Sequence, residues 1–164
     1  MQPAWLSPRP GPRPATSSEG PHRQLDQNPP REIYDRLAAR IFGLPHVEER
    51  RSRVSVAGSR ALWLRDEVPA GPPEAFLVER EFAHLHPPDD GSLHVCLPRA
   101  LAQAAMQAGW AEPHGYADYD TEVMLYGPRD HRELEIIARL VVESHRFASG
   151  ELGSGSTGAG AEPS

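Results

Sequence analysis

The sequence predicts an α+β domain, with a mainly antiparallel sheet, helices packed on one face, and disordered tails at both ends. Three observations predict it. Several stretches repeat apolar residues at helical spacing. Others are short and alternate as strands do. Their order along the chain is helix, strands, helix, strand, helix, which fits helices laid against a sheet of hairpins.

The first helix lies in NPPREIYDRLAARIFGLP. Asn28 is placed to cap it, Pro29 suits its first turn, Ile33, Leu37 and Ile41 follow one face, and Gly43 and Pro45 stop it. RVSVAGSRALWLRD reads as two short strands around Ala57-Gly58-Ser59, with Val54, Val56, Leu62 and Leu64 packed. VPAGPPEA is a loop by composition. AFLVEREFAHLH alternates as a strand, SLHVCL is its partner, and PPDDG joins them, with Gly91 supplying a positive φ. LPRALAQAAMQAGW is a helix opened by Pro98 and ended by Gly109, and EVMLYG is a strand. In DHRELEIIARLVVESHRFA, Asp130 and Glu133 form a capping box, and Leu134, Ile137, Leu140, Val141 and Ser144 share a face.

The two ends read differently. Residues 1–30 hold eight of the 18 prolines and little apolar periodicity, which predicts a disordered leader. Residues 149–164 (SGELGSGSTGAGAEPS) read as a flexible tail. The domain is then residues 31–148, large enough for one hydrophobic core.

Composition excludes several functions. All 17 basic residues are arginine, so Schiff-base chemistry, lysine-anchored pyridoxal phosphate and a lysine-dependent P-loop are ruled out. A net charge of −6 argues against nonspecific nucleic-acid binding, and the run Glu49-Arg50-Arg51-Ser52-Arg53 reads as a solvated strand approach. The single cysteine, Cys96, excludes an internal disulfide and a CxxC zinc knuckle. No apolar run has the length of a membrane span or forms the centre of a signal peptide, which predicts a soluble, cytoplasmic protein with no membrane partner.

The chemistry concentrates in EFAHLHPPDDGSLHVCL. Closing the turn at Pro87–Gly91 sets His86 opposite Ser92, His84 opposite His94 and Phe82 opposite Cys96, all on one sheet face. Ala83, Leu85, Leu93, Val95 and Leu97 then form the apolar face that the helices cover. Paired Cβ atoms stand about 5 Å apart, so His84 and His94 are placed to share a ligand, a proton or a metal. Three readings stay open at this point. His84, His86 and His94 form a zinc or iron site, or a set of acid–base catalysts, or a wet polar face with no function.

The run REFAHLH, then DGSLHVCLP, then GWAEPH, then LYGPRDHRELE resembles the domain of the fungal luciferases and their bacterial relatives. The resemblance runs from about Arg80 to Ser144 and more loosely back towards Val54. It rests on Arg80, Glu81, His84, His86, Leu93, His94, Gly109, Trp110, His114, Leu125, Tyr126, Pro128, Arg129 and Glu133, and not on Cys96. It implies a single-domain oxygenase that needs no metal or organic cofactor. In the fungal enzymes a hydroxylated styryl-pyrone, 3-hydroxyhispidin, reacts with O2 as co-substrate through a peroxide that loses carbon dioxide and emits light. Two departures stand out. The fungal enzymes carry an N-terminal membrane segment where this chain has its proline-rich stretch, and the GYADYD loop is shorter here.

Oxygen has a triplet ground state, so a cofactor-free oxygenase must first make its substrate an electron-rich enolate. On that expectation His84 or His94 is the base and His86 orients or relays the proton. Arg80 or Arg129 holds the oxyanion, and Trp110, His114 and Tyr126 line the site of a small aromatic partner. Each has a plainer alternative. Arg80 pairs with Glu81 or Asp66, Trp110 seals the core, Tyr126 shapes a turn, and Arg129 supports a helix start. His22, His46, His131 and His145 are expected in solvent. The competing function is a binding module that holds a small molecule or a metal on the same histidines without turnover.

Overall fold

The computed structural model of the protein describes residues 2–115, 117 and 119–152. Helix α1 spans Arg31–Phe42, α2 Arg99–Gln107 and α3 His131–Ala148. Six strands, β1 Val47–Arg51, β2 Arg60–Leu64, β3 Glu81–Leu85, β4 Leu93–Cys96, β5 Ala111–Pro113 and β6 Glu122–Leu125, form one sheet. Its order is β1-β2-β3-β4-β6-β5, and every pair of neighbours is antiparallel. This is the α+β architecture that the patterns predict.

Helix α3 is the clearest match between pattern and element. The Asp130 carboxylate accepts from the Glu133 backbone N–H at 2.9 Å, and Leu134, Ile137, Leu140, Val141 and Ser144 are all buried. Helix α1 starts two residues later than expected, with Pro30 in the cap position. Asn28 instead donates to the carbonyls of Gln24 and Asp90. The first strand is also displaced. It runs over Val47–Arg51, while residues 52–59 arch over the sheet and leave Val54 49% exposed. A Ser55–Ser59 side-chain hydrogen bond of 2.8 Å and Gly58 at φ +88° hold that arch.

The hairpin register is as predicted at its centre, with His84 opposite His94 and His86 N–H donating to the Ser92 carbonyl. At Phe82 the register with β2 slips, because Leu62 pairs with Ala83 and Trp63 with Glu81. The extra residue turns Phe82 to the helix side, where its ring meets His145 of α3 at 5.8 Å. Phe82 therefore does not join Cys96 on the histidine face; Glu81 does.

The helix-side core contains Leu85, Leu93, Val95, Leu97 and Ile137 together with Phe82 and Ala83. The opposite face is buried too. His84, His86, Ser92, His94, Cys96 and Met124 are all under 5% exposed. The cover is the proline-rich leader and the 52–59 arch. The expectation of disorder over residues 1–30 is thus corrected for residues 2–30. Leu6 is fully buried, Trp110 Nε1 donates to the Ser7 carbonyl at 2.6 Å, and Arg9 N–H donates to the Ala108 carbonyl at 2.9 Å. Arg13 donates to the Ala111 carbonyl and to Tyr126 Oη, and Gln24 Oε1 accepts from the Gly127 N–H. The leader is held by polar contacts to backbone, which a count of apolar residues does not register, and its prolines lower the entropy lost on ordering. At the other end Leu152 is buried, and the expected tail beyond it lies outside the described residues.

Candidate functional site

A cross-strand row sets up the site. Ala61, His84, His94, Met124 and Glu112 are successive partners across β2, β3, β4, β6 and β5. The row puts His84 and His94 side by side and Glu112 beyond them. His86, two residues from His84, and His114, two from Glu112, extend the same face. From above, the leader turns at Thr16–Gln24 and lowers His22 onto it.

The side chains form a chain of short contacts. Glu81 Oε2 lies 2.9 Å from His84 Nδ1, and His84 Nε2 lies 2.9 Å from His94 Nδ1. His94 Nε2 is 3.1 Å from His22 Nδ1, and His22 Nε2 is 2.7 Å from Glu112 Oε2. Glu81 also accepts from Ser52 Oγ and the Arg53 N–H. Glu112 accepts from Tyr126 Oη at 2.9 Å and from Thr16 Oγ1. A branch runs from His86 Nδ1 to Ser92 Oγ at 2.8 Å, and Ser92 Oγ donates to Asp90 Oδ1 at 2.5 Å. The His94 ring stands 4.8 Å from that of His86 and 4.0 Å from that of His114, centre to centre.

Burial disfavours the charged form of His84, His94 and His114. It lowers the pKa of His84 against the pull of Glu81. It drives His94 well below its ordinary value, helped by the neighbouring His84 and His86. It also lowers His114, to about 4, with His22 and His84 adding to the effect. Burial pushes the Glu112 and Asp90 carboxyls upward. Hydrogen bonds from His22, Tyr126 and Thr16 outweigh it at Glu112, those from His86 and Ser92 at Asp90, and both stay ionised. Cys96 lies under the same face, its thiol raised well above its ordinary value by burial and by Glu122.

Above the histidines opens a cavity of about 510 Å³. His22, His84, His86, His94, His114 and Glu122 give it a polar floor, while Val54, Val56, Leu77 and Pro21 supply apolar wall. Arg53 and Ser55 of the arch also line it. The volume falls in the range of small-molecule sites.

The structure brings His84, His86, His94 and His114 together as expected. Four other predicted residues lie elsewhere. Arg80 donates to the carbonyls of Leu64, Arg65 and Val68 and pairs with Asp66 at 3.6 Å. Trp110 is 2% exposed within the helix-side core, and Arg129 clamps Glu133 and the Pro10 carbonyl. Tyr126 does not face the cavity; it supports Glu112 from behind. Sequence reasoning missed Glu81, Glu112, Arg53 and His22. His22 was expected in solvent, but its side chain is only 8% exposed. His145 is half-buried and donates to the Pro45 carbonyl, while His46 and His131 are exposed as expected.

Residues 79–144 match the family model described as the luciferase domain. This segment is similar to the luciferase domain family. It carries Glu81 and four of the five clustered histidines; His22 comes from outside it. Luciferases of Armillaria gallica, Armillaria mellea and Armillaria ostoyae are each 28% identical to the chain over 160 residues, covering 85% of it. The chain spans 59% of the length of these luciferases. No solved structure matches it. Among the described residues no helix is long and apolar enough to cross a membrane.

Proposed function

We propose that this luciferase-like domain is an oxygenase acting with O2 on a small hydroxylated aromatic or pyrone. The observation that carries the reading is the cavity floored by clustered imidazoles, of which burial disfavours the charged forms of His84, His94 and His114, with Glu81, Asp90 and Glu112 behind them. A closed-shell ring reacts with O2 only after it becomes electron-rich, which calls for removal of an acidic hydroxyl proton. Unprotonated ring nitrogens at the floor are suited to receive that hydroxyl. The chain from His94 through His22 to Glu112, whose side chain is 23% exposed, gives the proton a way out. The apolar wall holds the flat ring, and Arg53 with Ser55 stands where the displaced arginines were expected to serve the oxyanion.

The likeness to Armillaria luciferases supports a luciferase-like oxygenase, and a cavity of about 510 Å³ with a partly apolar wall suits a small aromatic molecule. Oxygen uptake by the purified chain with a panel of hydroxypyrones tests the reading, with light emission recorded alongside. Uptake with at least one of them is expected. Tight binding of the same compounds without uptake would instead leave a binding module.

A further inference from the structure

Counting the protons in the histidine chain exposes a deficit. Glu112 is an ionised acceptor of the Tyr126 and Thr16 hydroxyls, so the 2.7 Å contact from His22 must carry its proton on Nε2. With His22 Nδ1 as the acceptor of His94 Nε2–H, His94 Nδ1 is left bare. At the other end Glu81 accepts from Ser52 and Arg53, so His84 gives its proton to Glu81 from Nδ1 and keeps Nε2 bare. The two bare nitrogens, His84 Nε2 and His94 Nδ1, are the pair that stand 2.9 Å apart. The branch ends the same way. Ser92 Oγ donates to Asp90 and so accepts from His86 Nδ1–H, leaving His86 Nε2 bare.

Two lone pairs at hydrogen-bond distance repel unless something positive sits between them. One remedy is an extra proton in the chain. The other is a cation. We propose that His84, His86 and His94 bind a divalent first-row transition ion of the zinc or iron(II) class. One ring nitrogen from each of the three lies within 4.8 Å of those of the other two. Adjacent donors of an octahedral site with metal–nitrogen bonds near 2.1 Å stand roughly 3 Å apart, close to the observed pair. The supports that orient metal-binding imidazoles are already built, in Glu81 behind His84, Ser92 and Asp90 behind His86, and His22 behind His94. With the ion present every ring hydrogen in the chain has an acceptor. Three protein ligands also leave coordination positions open towards the cavity, the pattern of a catalytic rather than a structural site.

The inference rests on the same cavity as the proposed function and revises it at one point: the lone pairs of His84, His86 and His94 then belong to the ion, and a substrate hydroxyl entering there would meet the ion instead of a bare ring nitrogen of these three. It replaces the cofactor-free expectation. A second histidine group, His22, His94 and His114, has comparable spacing, but there His22 and Glu112 are already matched as donor and acceptor.

Metal-depleted full-length chain titrated by calorimetry with Zn(II), and anaerobically with Fe(II), tests the site directly. Cobalt(II) absorption serves as a second readout. One ion per chain is expected, with binding weakened at least a hundredfold in His84→Ala and His86→Ala. Glu81→Gln should weaken it about 10–100-fold, the usual cost of losing an outer support, and His114→Ala should leave it unchanged. Thermal melts of each variant separate loss of a ligand from loss of the fold. No stoichiometric binding by the wild type would overturn the inference, as would binding that survives His86→Ala but is lost in His114→Ala. Oxygen uptake by a protein that binds no ion in these titrations would overturn it while sparing the oxygenase reading; metal binding without uptake would do the reverse.

Discussion

His84 Nε2 and His94 Nδ1 face each other at 2.9 Å across the β3–β4 hairpin, and both rings are shut away from water. Both residues sit where the cavity meets the relay, so His94→Ala removes the floor and the exit together. Its turnover of an accepted hydroxypyrone should fall by about 10²–10⁴-fold, the usual contribution of a positioned proton acceptor. Oxygen-electrode rates for the variant and wild type provide the check, and rates within threefold would refute the placement.

His22 and Glu112 act through one contact. Their single variants, His22→Ala and Glu112→Gln, should therefore slow turnover by similar factors, and the double variant should be little worse than either. Strictly multiplicative losses, measured as kcat in a double-mutant cycle, would show that the leader does not extend the relay.

The leader should stabilise the fold. Leu6 is fully buried against the core, and Leu6→Ala should cost about 2–5 kcal/mol. Leu25, 58% exposed in the same segment, should cost less than about 0.5 kcal/mol when replaced by alanine. Urea denaturation distinguishes the two. Equal, negligible costs would mean that the leader is not packed in solution.

Gly91 ties the hairpin turn to the end of the leader. It has φ +78°, and a Cβ there would stand 2.2 Å from Pro29 Cγ. Gly91→Ala thus meets backbone strain and collision together, and should destabilise by more than about 1 kcal/mol. An unchanged urea midpoint would contradict the packing of Pro29 against the turn.

His145 gives a pH signature away from the cavity. Burial lowers its pKa below the ordinary 6.5, with the Pro45 carbonyl and Glu151 pulling it up and His46 pushing it further down. Unfolding raises its affinity for a proton, so its contribution is fully present above about pH 6.5 and is lost as pH falls towards the folded value. The wild type should lose more stability than His145→Gln between pH 7.5 and pH 5.5, read as the shift in urea midpoint. Parallel curves would rule this out.

Local chemistry was legible where period and turn length act over a few residues. The five-residue turn with Gly91 gave the pairing of His84 with His94, and Asp130 with Glu133 gave the start of α3. The three-residue strand β5 is too short to show a period, so the alignment of Glu112 with the histidine row could not be read.

Alternation by itself determined that His84, His86 and His94 share a sheet face, because successive strand residues must point to opposite sides. Tertiary structure decided that this face is buried, that a bulge at Phe82 turns Glu81 towards His84, and that His22 reaches His94 from 72 positions away and Glu112 from 90. The physical reason is range. Strand period and turn chemistry are set by neighbours in the chain, whereas burial and charge pairing depend on which distant segments pack over the sheet.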